Sequence, residues 1–576
     1  MTVRKTAYWS PARRAVAATA AVLGSIVWTQ ALAAVLRRLG PEEAPAAAAA
    51  LSFAAVATAV AGALALPRRW APAVAALAGT TAALAVAFAV PGSGLGALAL
   101  PLVGAAVTWG AGRLGERLPA SVDGLPARRR VAAVVWVLFA LVAVVQVGRL
   151  SAHLVDKETG FVLTTTNPFW HGHECLPAYV HGAEMAARGE ENLYDAAHWP
   201  ALDPAASPET RYAEMTVEDP YQYPPQFLLL PRAAMLLTDH YPTMRSVWLA
   251  LNVTLFVAAF ALLALWVGGA AGRTALWLLP AALSAFPLLH VFQFGQFHLA
   301  AVALALLAMV AFARHRDGVG GALLAVAVLA KLFPAVLLLP LVVQKRWRAV
   351  AWTAGAGAAF TVLALLVLGP APFVAFVDYQ LPRLADGSAF AFDEAWPEIA
   401  DLVVVDNQGA FGLARKLGAA KPLAAWVSRL FTLGVLGLAF FVGRRRLGAD
   451  AARLTRATGW LALVGLASMA SPGAWGDYVP VTAIWLAALL AAPAAAAGRR
   501  WVVALGLAAA FQYTLAGTMP IGDWAPTAVM LPLATAGLLA LLGLFVTTLS
   551  VPDAALREEE DLEAVPAPEG VLRAAA

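Results

Sequence analysis

GVGGALLAVAVLAKLFPAVLLLPLVV, residues 318–343, contains a single charge, Lys331, with Pro334 three positions later. The run is long enough to cross a bilayer once, since a spanning helix needs about 20 apolar residues. Yet both flanks are basic: Arg314, His315 and Arg316 precede it, and Lys345, Arg346 and Arg348 follow it. Basic loops collect on the cytoplasmic side, so a single crossing would leave one cluster on the wrong side. A tight hairpin of two short helices, with Lys331 near its tip, keeps both inside. The stretch therefore predicts a polytopic membrane protein and orients it.

The rest of the chain agrees. Of 576 residues, 61% are hydrophobic and 13% charged, and the mean hydropathy is +0.73. Soluble domains run near half apolar and a quarter charged. A soluble chain of this length would need charged residues to coat several domains, and this one lacks them. A soluble enzyme, a disordered protein and a coiled coil are excluded. Further spans are expected at roughly 15–35, 45–66, 70–91, 95–112, 131–149, 243–266, 274–292, 297–313, 349–368, 422–443, 457–471, 479–497, 501–518 and 526–548. With the hairpin, this is an all-α polytopic membrane protein of about sixteen helices.

Loop charge then alternates. Expected inner loops contain Arg68–Arg69, Arg113–Arg130, Arg273, Arg444–Arg456 and Arg499–Arg500, besides the two hairpin flanks. The expected outer loops, 150–222, 293–297, 369–421, 472–478 and 519–524, contain much of the Asp, Glu, His, Asn and Gln. Both termini are expected on the cytoplasmic side of a plasma membrane. The apolar run after Arg13 and Arg14 is too long for a signal-peptide core and reads as a first anchor. REEEDLE at 557–563 reads as a solvated, disordered tail. The expected organisation is accessory transmembrane helices over 1–130, a core over 131–495 with outer loops 150–222 and 369–421, C-terminal transmembrane helices over 496–548, and a tail over 549–576. The net charge of +5 does not imply nucleic acid, because the basic residues lie in short clusters between apolar runs. A single cysteine, Cys175, excludes an intrachain disulfide, a multi-cysteine zinc site and an iron–sulfur cluster.

The first outer loop is far longer than the usual connection of about five residues. A helix is expected over Pro177–Arg188, ended by Gly189 as a C-cap. Pro224 and Pro225 open a short apolar helix over 225–238. His171, His173, His181 and Glu174 leave three readings open: metal ligation, a polar loop at the membrane surface, or a carboxylate acting as general base. No HExxH helix or CxxC pair supports the first. Lys331 is costly in an apolar hairpin unless it has a partner or meets water. It either binds a lipid phosphate as a point charge or snorkels to the interface. In loop 369–421, Phe373–Leu384 has helical periodicity and suits a helix lying flat on the membrane.

Taken in order, these segments resemble glycosyltransferase family 87, the bacterial GT-C transferases that use polyprenol-phosphate sugars. The residues that carry the resemblance are Tyr179, Gly189, Tyr194 and Tyr221-Gln-Tyr223-Pro224-Pro225 in the first outer loop, then Gly295-Gln296-Phe297-His298, with His298 where the family has Asn. They continue with Lys331-Leu-Phe-Pro334, with Asn407-Gln408 followed by Gly412 and Arg415, and with Ser471-Pro472-Gly-Ala-Trp475. The match covers about residues 150–495. One departure stands out. Four residues before Tyr179, where the family has its catalytic Asp, this chain has Cys175, and Glu174 is the adjacent carboxylate.

The resemblance implies a GT-C-like bundle whose outer loops form the site. It implies transfer of a sugar, mannose most often or arabinofuranose, from a polyprenyl-phosphate donor to a glycan or glycolipid acceptor on the outer face, inverting a β-linked donor to an α-linked product. It implies that no nucleotide sugar, metal or other cofactor is required. It assigns Glu174 as base, Lys331, Arg383 and Arg415 to the donor phosphate, and Tyr179, Tyr223, Gln296, His298, Asn407, Gln408 and Trp475 to the substrates. The alternatives are a transporter or flippase for a lipid-linked glycan, and an inactive scaffold.

Overall fold

The structure, a computed structural model, describes residues 16–31, 130–155, 173–199, 217–390, 404–496, 506 and 527–551, apart from 18, 25, 29–30, 196–197, 219, 237, 239 and 476–477. The helices expected at 45–66, 70–91 and 95–112, all but one residue of 501–518, and the acidic tail lie outside the described residues. The chain forms two units, one of Met1–Val162, Thr238–Thr254 and Val565–Ala576, the other of Leu163–Leu237 and Leu255–Ala564.

In the first unit, α1 (Arg130–Val155) exposes Val134, Leu138, Leu141 and Val145. Their spacing of four, three and four residues puts them on one face. An exposed apolar stripe of this kind is a lipid face.

The second unit begins with β1 (His173–Glu174), which pairs in parallel with β2 (Val217–Glu218), two residues each. α2 (Leu176–Arg188) follows and stops as expected at Gly189, whose φ of 77° is a left-handed C-cap. A 3-10 turn at Pro225–Leu228 leads into α3 (Leu229–Met235); of α4 (Tyr241–Val267), the part from Leu255 on belongs to this unit and the part up to Thr254 to the first. The span expected at 274–292 is instead two helices, α5 (Gly269–Leu283) and α6 (Phe286–Gln293), bent by 60°. The cause is local. Pro287 has no N–H to continue the helical ladder, and Ala285 is extended there.

α7 (His298–Ala313) leads to α8 (Asp317–Ala330), the first arm of the expected hairpin. Lys331 ends that arm in an extended conformation. Pro334 then opens a 3-10 turn at Phe333–Leu337, and α9 (Leu338–Val343) completes the second arm. α10 (Trp347–Leu368) packs on α8 where Gly321 allows close approach: a Cβ there would stand 2.6 Å from the Trp352 backbone. The periodic stretch 373–384 is helical, as α11 (Ala371–Ala375), a π-turn at Phe376–Gln380 and α12 (Leu381–Asp386). α13 (Ala410–Lys416), α14 (Lys421–Arg445), α15 (Arg453–Met469), α16 (Tyr478–Ala496) and α17 (Thr527–Ser550) complete the unit.

Among the described residues, four helices are long and apolar enough to cross a membrane, and five if the bent pair is one span. The expected count of about sixteen is not reached there. α7, with 16 residues, is about 24 Å long at 1.5 Å per residue, short of a hydrocarbon core of about 30 Å.

Candidate functional site

A cavity of about 420 Å³ opens in the second unit, between the start of α2, the Tyr223–Pro224 turn, the hairpin break and the Ser471–Trp475 turn. Two backbone bonds hold its floor. The N–H groups of Cys175 and Leu176 both donate to the carbonyl of Phe294, at 2.7 and 3.2 Å. They tie the start of α2 to the turn that carries Gln296 and His298.

Gln296 is the hub of the wall. Its Oε1 accepts from the Tyr179 hydroxyl at 2.6 Å. Its Nε2 donates to the Tyr478 hydroxyl at 2.7 Å and to Cys175 Sγ at 3.2 Å, with the Tyr223 hydroxyl at 3.3 Å. An amide with one bond accepted and two N–H groups facing three neighbours sets the mutual positions of these side chains. Tyr179 also meets Tyr223 and Phe227 edge to face, at 5.3 and 4.9 Å between ring centres. Burial pushes the Tyr179 phenol well above its usual range, and the neighbouring Tyr223, Cys175 and Tyr478 add to this. Burial does the same to Tyr194 and Tyr221. These phenols stay neutral and act as donors. The Tyr194 hydroxyl donates to the Tyr223 carbonyl at 2.9 Å, and that of Tyr221 to the Pro224 carbonyl at 2.8 Å. The Tyr-Gln-Tyr-Pro-Pro turn is thereby fixed from both sides.

Lys331 stands at the break of the hairpin with its Nζ 3.9 Å from the centre of the Tyr223 ring and 5.6 Å from that of Tyr478. Both are cation–π distances. His298 lies flat between Phe333 and Tyr478, with ring centres 4.4 and 4.7 Å away and planes within 20° of parallel. Its Nε2 is 3.3 Å from Ser468 Oγ.

The structure thus gathers Tyr179, Tyr223, Gln296, His298, Lys331 and Trp475 on one wall. The other expected site residues lie off it. Asn407 pairs with Trp475 in an isolated bridge, its Nδ2 donates to the Pro472 carbonyl at 2.6 Å, and its Oδ1 accepts from Gly409 N–H at 2.9 Å. The backbone N–H of Gln408 donates to the Ala474 carbonyl at 2.6 Å. Both residues brace the Ser471–Trp475 turn from behind. The Arg383 guanidinium covers the Tyr379 ring at 4.8 Å. Arg415 donates to the Ala419 carbonyl at 2.9 Å, at the end of α13. Glu174 is buried and does not line the cavity, whereas its neighbour Cys175 does. The chain turns between the two: Glu174 ends β1, whereas Cys175 already has the helical backbone conformation and opens α2.

Phe333, Ser468 and Tyr478 also build the wall, and the sequence did not single them out as site residues. Phe333 stands inside Lys331-Leu-Phe-Pro334, and Tyr478 lies three residues beyond Trp475, so both adjoin the motifs. Among the described residues, no group of three His, Cys, Asp or Glu side chains is placed to hold a metal ion.

Residues 221–472 match the model of glycosyltransferase family 87. The matched segment includes Tyr223, Gln296, His298 and Lys331; Glu174, Tyr179 and Trp475 fall outside it. No curated protein and no solved structure matches the chain.

Proposed function

We propose that this chain, whose residues 221–472 match glycosyltransferase family 87, is a membrane glycosyltransferase that moves a sugar from a polyprenyl phosphate to a glycan or glycolipid acceptor on the outer face of the membrane. Mannose is the donor sugar that the family resemblance favours. The observation that carries this reading is Lys331, the one Lys or Arg among the described residues lining a largely aromatic and apolar cavity.

A lipid-linked sugar phosphate suits such a wall. Its prenyl chain stays among apolar helices, its phosphate meets the ammonium, and its sugar meets the rings of Tyr223 and Trp475. When the C1–O bond breaks, the phosphate passes from a monoanionic diester to a dianionic monoester. A cation already in place stabilises that second charge as it develops. Low-polarity surroundings strengthen the interaction relative to water. Tyr179 and Gln296 hold the wall in shape. Arg383 and Arg415, engaged elsewhere, take no part in this assignment.

The test is transfer by purified protein in nanodiscs, given radiolabelled polyprenyl-phosphate mannose or its arabinofuranose analogue. Wild type is expected to transfer the mannose. Lys331→Met keeps length and apolar character but removes the charge, and should raise the donor KM by roughly 10–100-fold, the value of a charge-assisted contact of about 1.5–3 kcal/mol. Unchanged donor dependence would make Lys331 an interfacial lysine. Translocation of the lipid without transfer would favour the flippase.

A further inference from the structure

We infer that His298 is the general base of the transfer, taking the acceptor hydroxyl proton on its Nδ1; the inference rests on the lipid-phosphate reading above. Attack by a hydroxyl needs a group that accepts its proton as the new bond forms. Among the described residues lining the cavity there is no Asp or Glu. Glu174 lies off the wall, and the side chain that replaces it there is the thiol of Cys175.

The remaining polar groups of the wall sort themselves by chemistry. The Lys331 ammonium has donors only. The Tyr179 phenol is committed to Gln296 as a donor, and Cys175 Sγ accepts from the same amide. A neutral imidazole is different, since it always keeps one acceptor nitrogen. In the tautomer that donates Nε2–H to Ser468 Oγ, that acceptor is Nδ1, which has no hydrogen-bond partner among the described residues. Phe333 and Tyr478 clamp both faces of the ring, so its edge is aimed without a mobile rotamer. Tyr478 also lies under Lys331. The proton acceptor and the phosphate-binding cation thus share one aromatic support.

The step balances. The acceptor O–H bond breaks and its proton goes to Nδ1. The acceptor oxygen bonds to C1 of the sugar, and the C1–O bond to phosphate breaks with its electron pair leaving on the polyprenyl phosphate. The imidazolium then returns the proton to that phosphate dianion or to water.

The test compares wild type with His298→Gln, His298→Ala and Glu174→Gln, measuring retention of radiolabelled donor separately from turnover. His298→Gln should retain the donor as wild type does and lose about 10²–10⁴-fold in kcat, the usual worth of a positioned base. His298→Ala should be inactive until imidazole is added, because the space vacated by the ring can take it back. Recovery with imidazole also shows that the variant folds. Full kcat in His298→Gln, or an inactive His298→Ala that imidazole does not restore, overturns the inference. Loss of turnover in Glu174→Gln with His298→Gln unaffected moves the base to Glu174. Wild type that neither retains the lipid donor nor transfers its sugar defeats the lipid-phosphate reading itself, a result distinct from any of these.

Discussion

Two turns of this protein carry a glutamine within two residues of a second polar residue, and they use it in opposite ways. Gln296, beside His298, spends its side-chain amide on Tyr179, Tyr478 and Cys175, all on the cavity wall. At Asn407–Gln408 the bonds run to backbone: to Pro472, to Gly409 and, from the Gln408 N–H, to Ala474. One turn is a wall and the other is its buttress. A polar motif in a membrane enzyme is therefore assigned by where its hydrogen bonds end. Those that end on other side chains of a cavity shape chemistry, and those that end on backbone shape the chain.

The sharpest way to break this contrast is to remove each amide. Gln296→Leu leaves the Tyr179 phenol without its acceptor and releases Tyr478 and Cys175. A buried polar group left unpaired costs about 1–3 kcal/mol, so a loss of roughly 10²-fold in kcat/KM is expected. Gln408→Leu keeps the backbone bond to Ala474 and should lose far less kcat/KM than Gln296→Leu, because Gln408 does not line the cavity. Equal losses in the two variants would abolish the distinction between wall and buttress.

Asn407 comes next in size, and its effect should fall on stability. Asn407→Ala removes the bonds to Pro472 and Gly409 that hold the Ser471–Trp475 turn. At about 1 kcal/mol per hydrogen bond, the variant should unfold about 2–3 kcal/mol more easily, measured as a lower melting temperature in detergent. Protein that stays folded should keep a near-normal donor KM. A donor KM raised as far as that of Lys331→Met would place Asn407 on the wall after all.

The same contrast explains what the sequence could and could not disclose. The hairpin at 318–343, the Gly189 cap and the helix at 225–235 are local matters of charge flanks, a left-handed glycine and paired prolines, and they were legible. The sequence also named six residues, Tyr179, Tyr223, Gln296, His298, Lys331 and Trp475, that the fold brings to one cavity. That Asn407, Gln408, Arg383 and Arg415 lie off that cavity was not legible. Their partners lie on other turns, and spacing along one turn does not tell which way a side chain faces across a tertiary contact. Glu174 and Cys175 show the limit most closely. They are neighbours in sequence, yet only the second meets the cavity. The bend between α5 and α6 was missed for a similar reason, since hydropathy averages over Pro287 and reads one span.

The smallest expected effect concerns Lys416, which completes the buttress by donating its Nζ to the Asn407 carbonyl. Burial holds its pKa down from 10.5 to about 7, although the charge of Asp406 works the other way. In the unfolded chain the same amine titrates near 10.5. Between those values the unfolded state binds more protons than the folded one, so stability rises with pH across the window and falls as pH drops toward 7. Below about 7 both states hold the proton, and the contribution levels off. Melting temperatures from pH 6.5 to 9.5 should therefore climb more steeply for wild type than for Lys416→Met. The donor KM, measured across the same range, should not follow it, because the buttress holds the turn and touches no substrate. Parallel melting curves would mean that Lys416 keeps its proton throughout, and that Asn407 is held by a full positive charge.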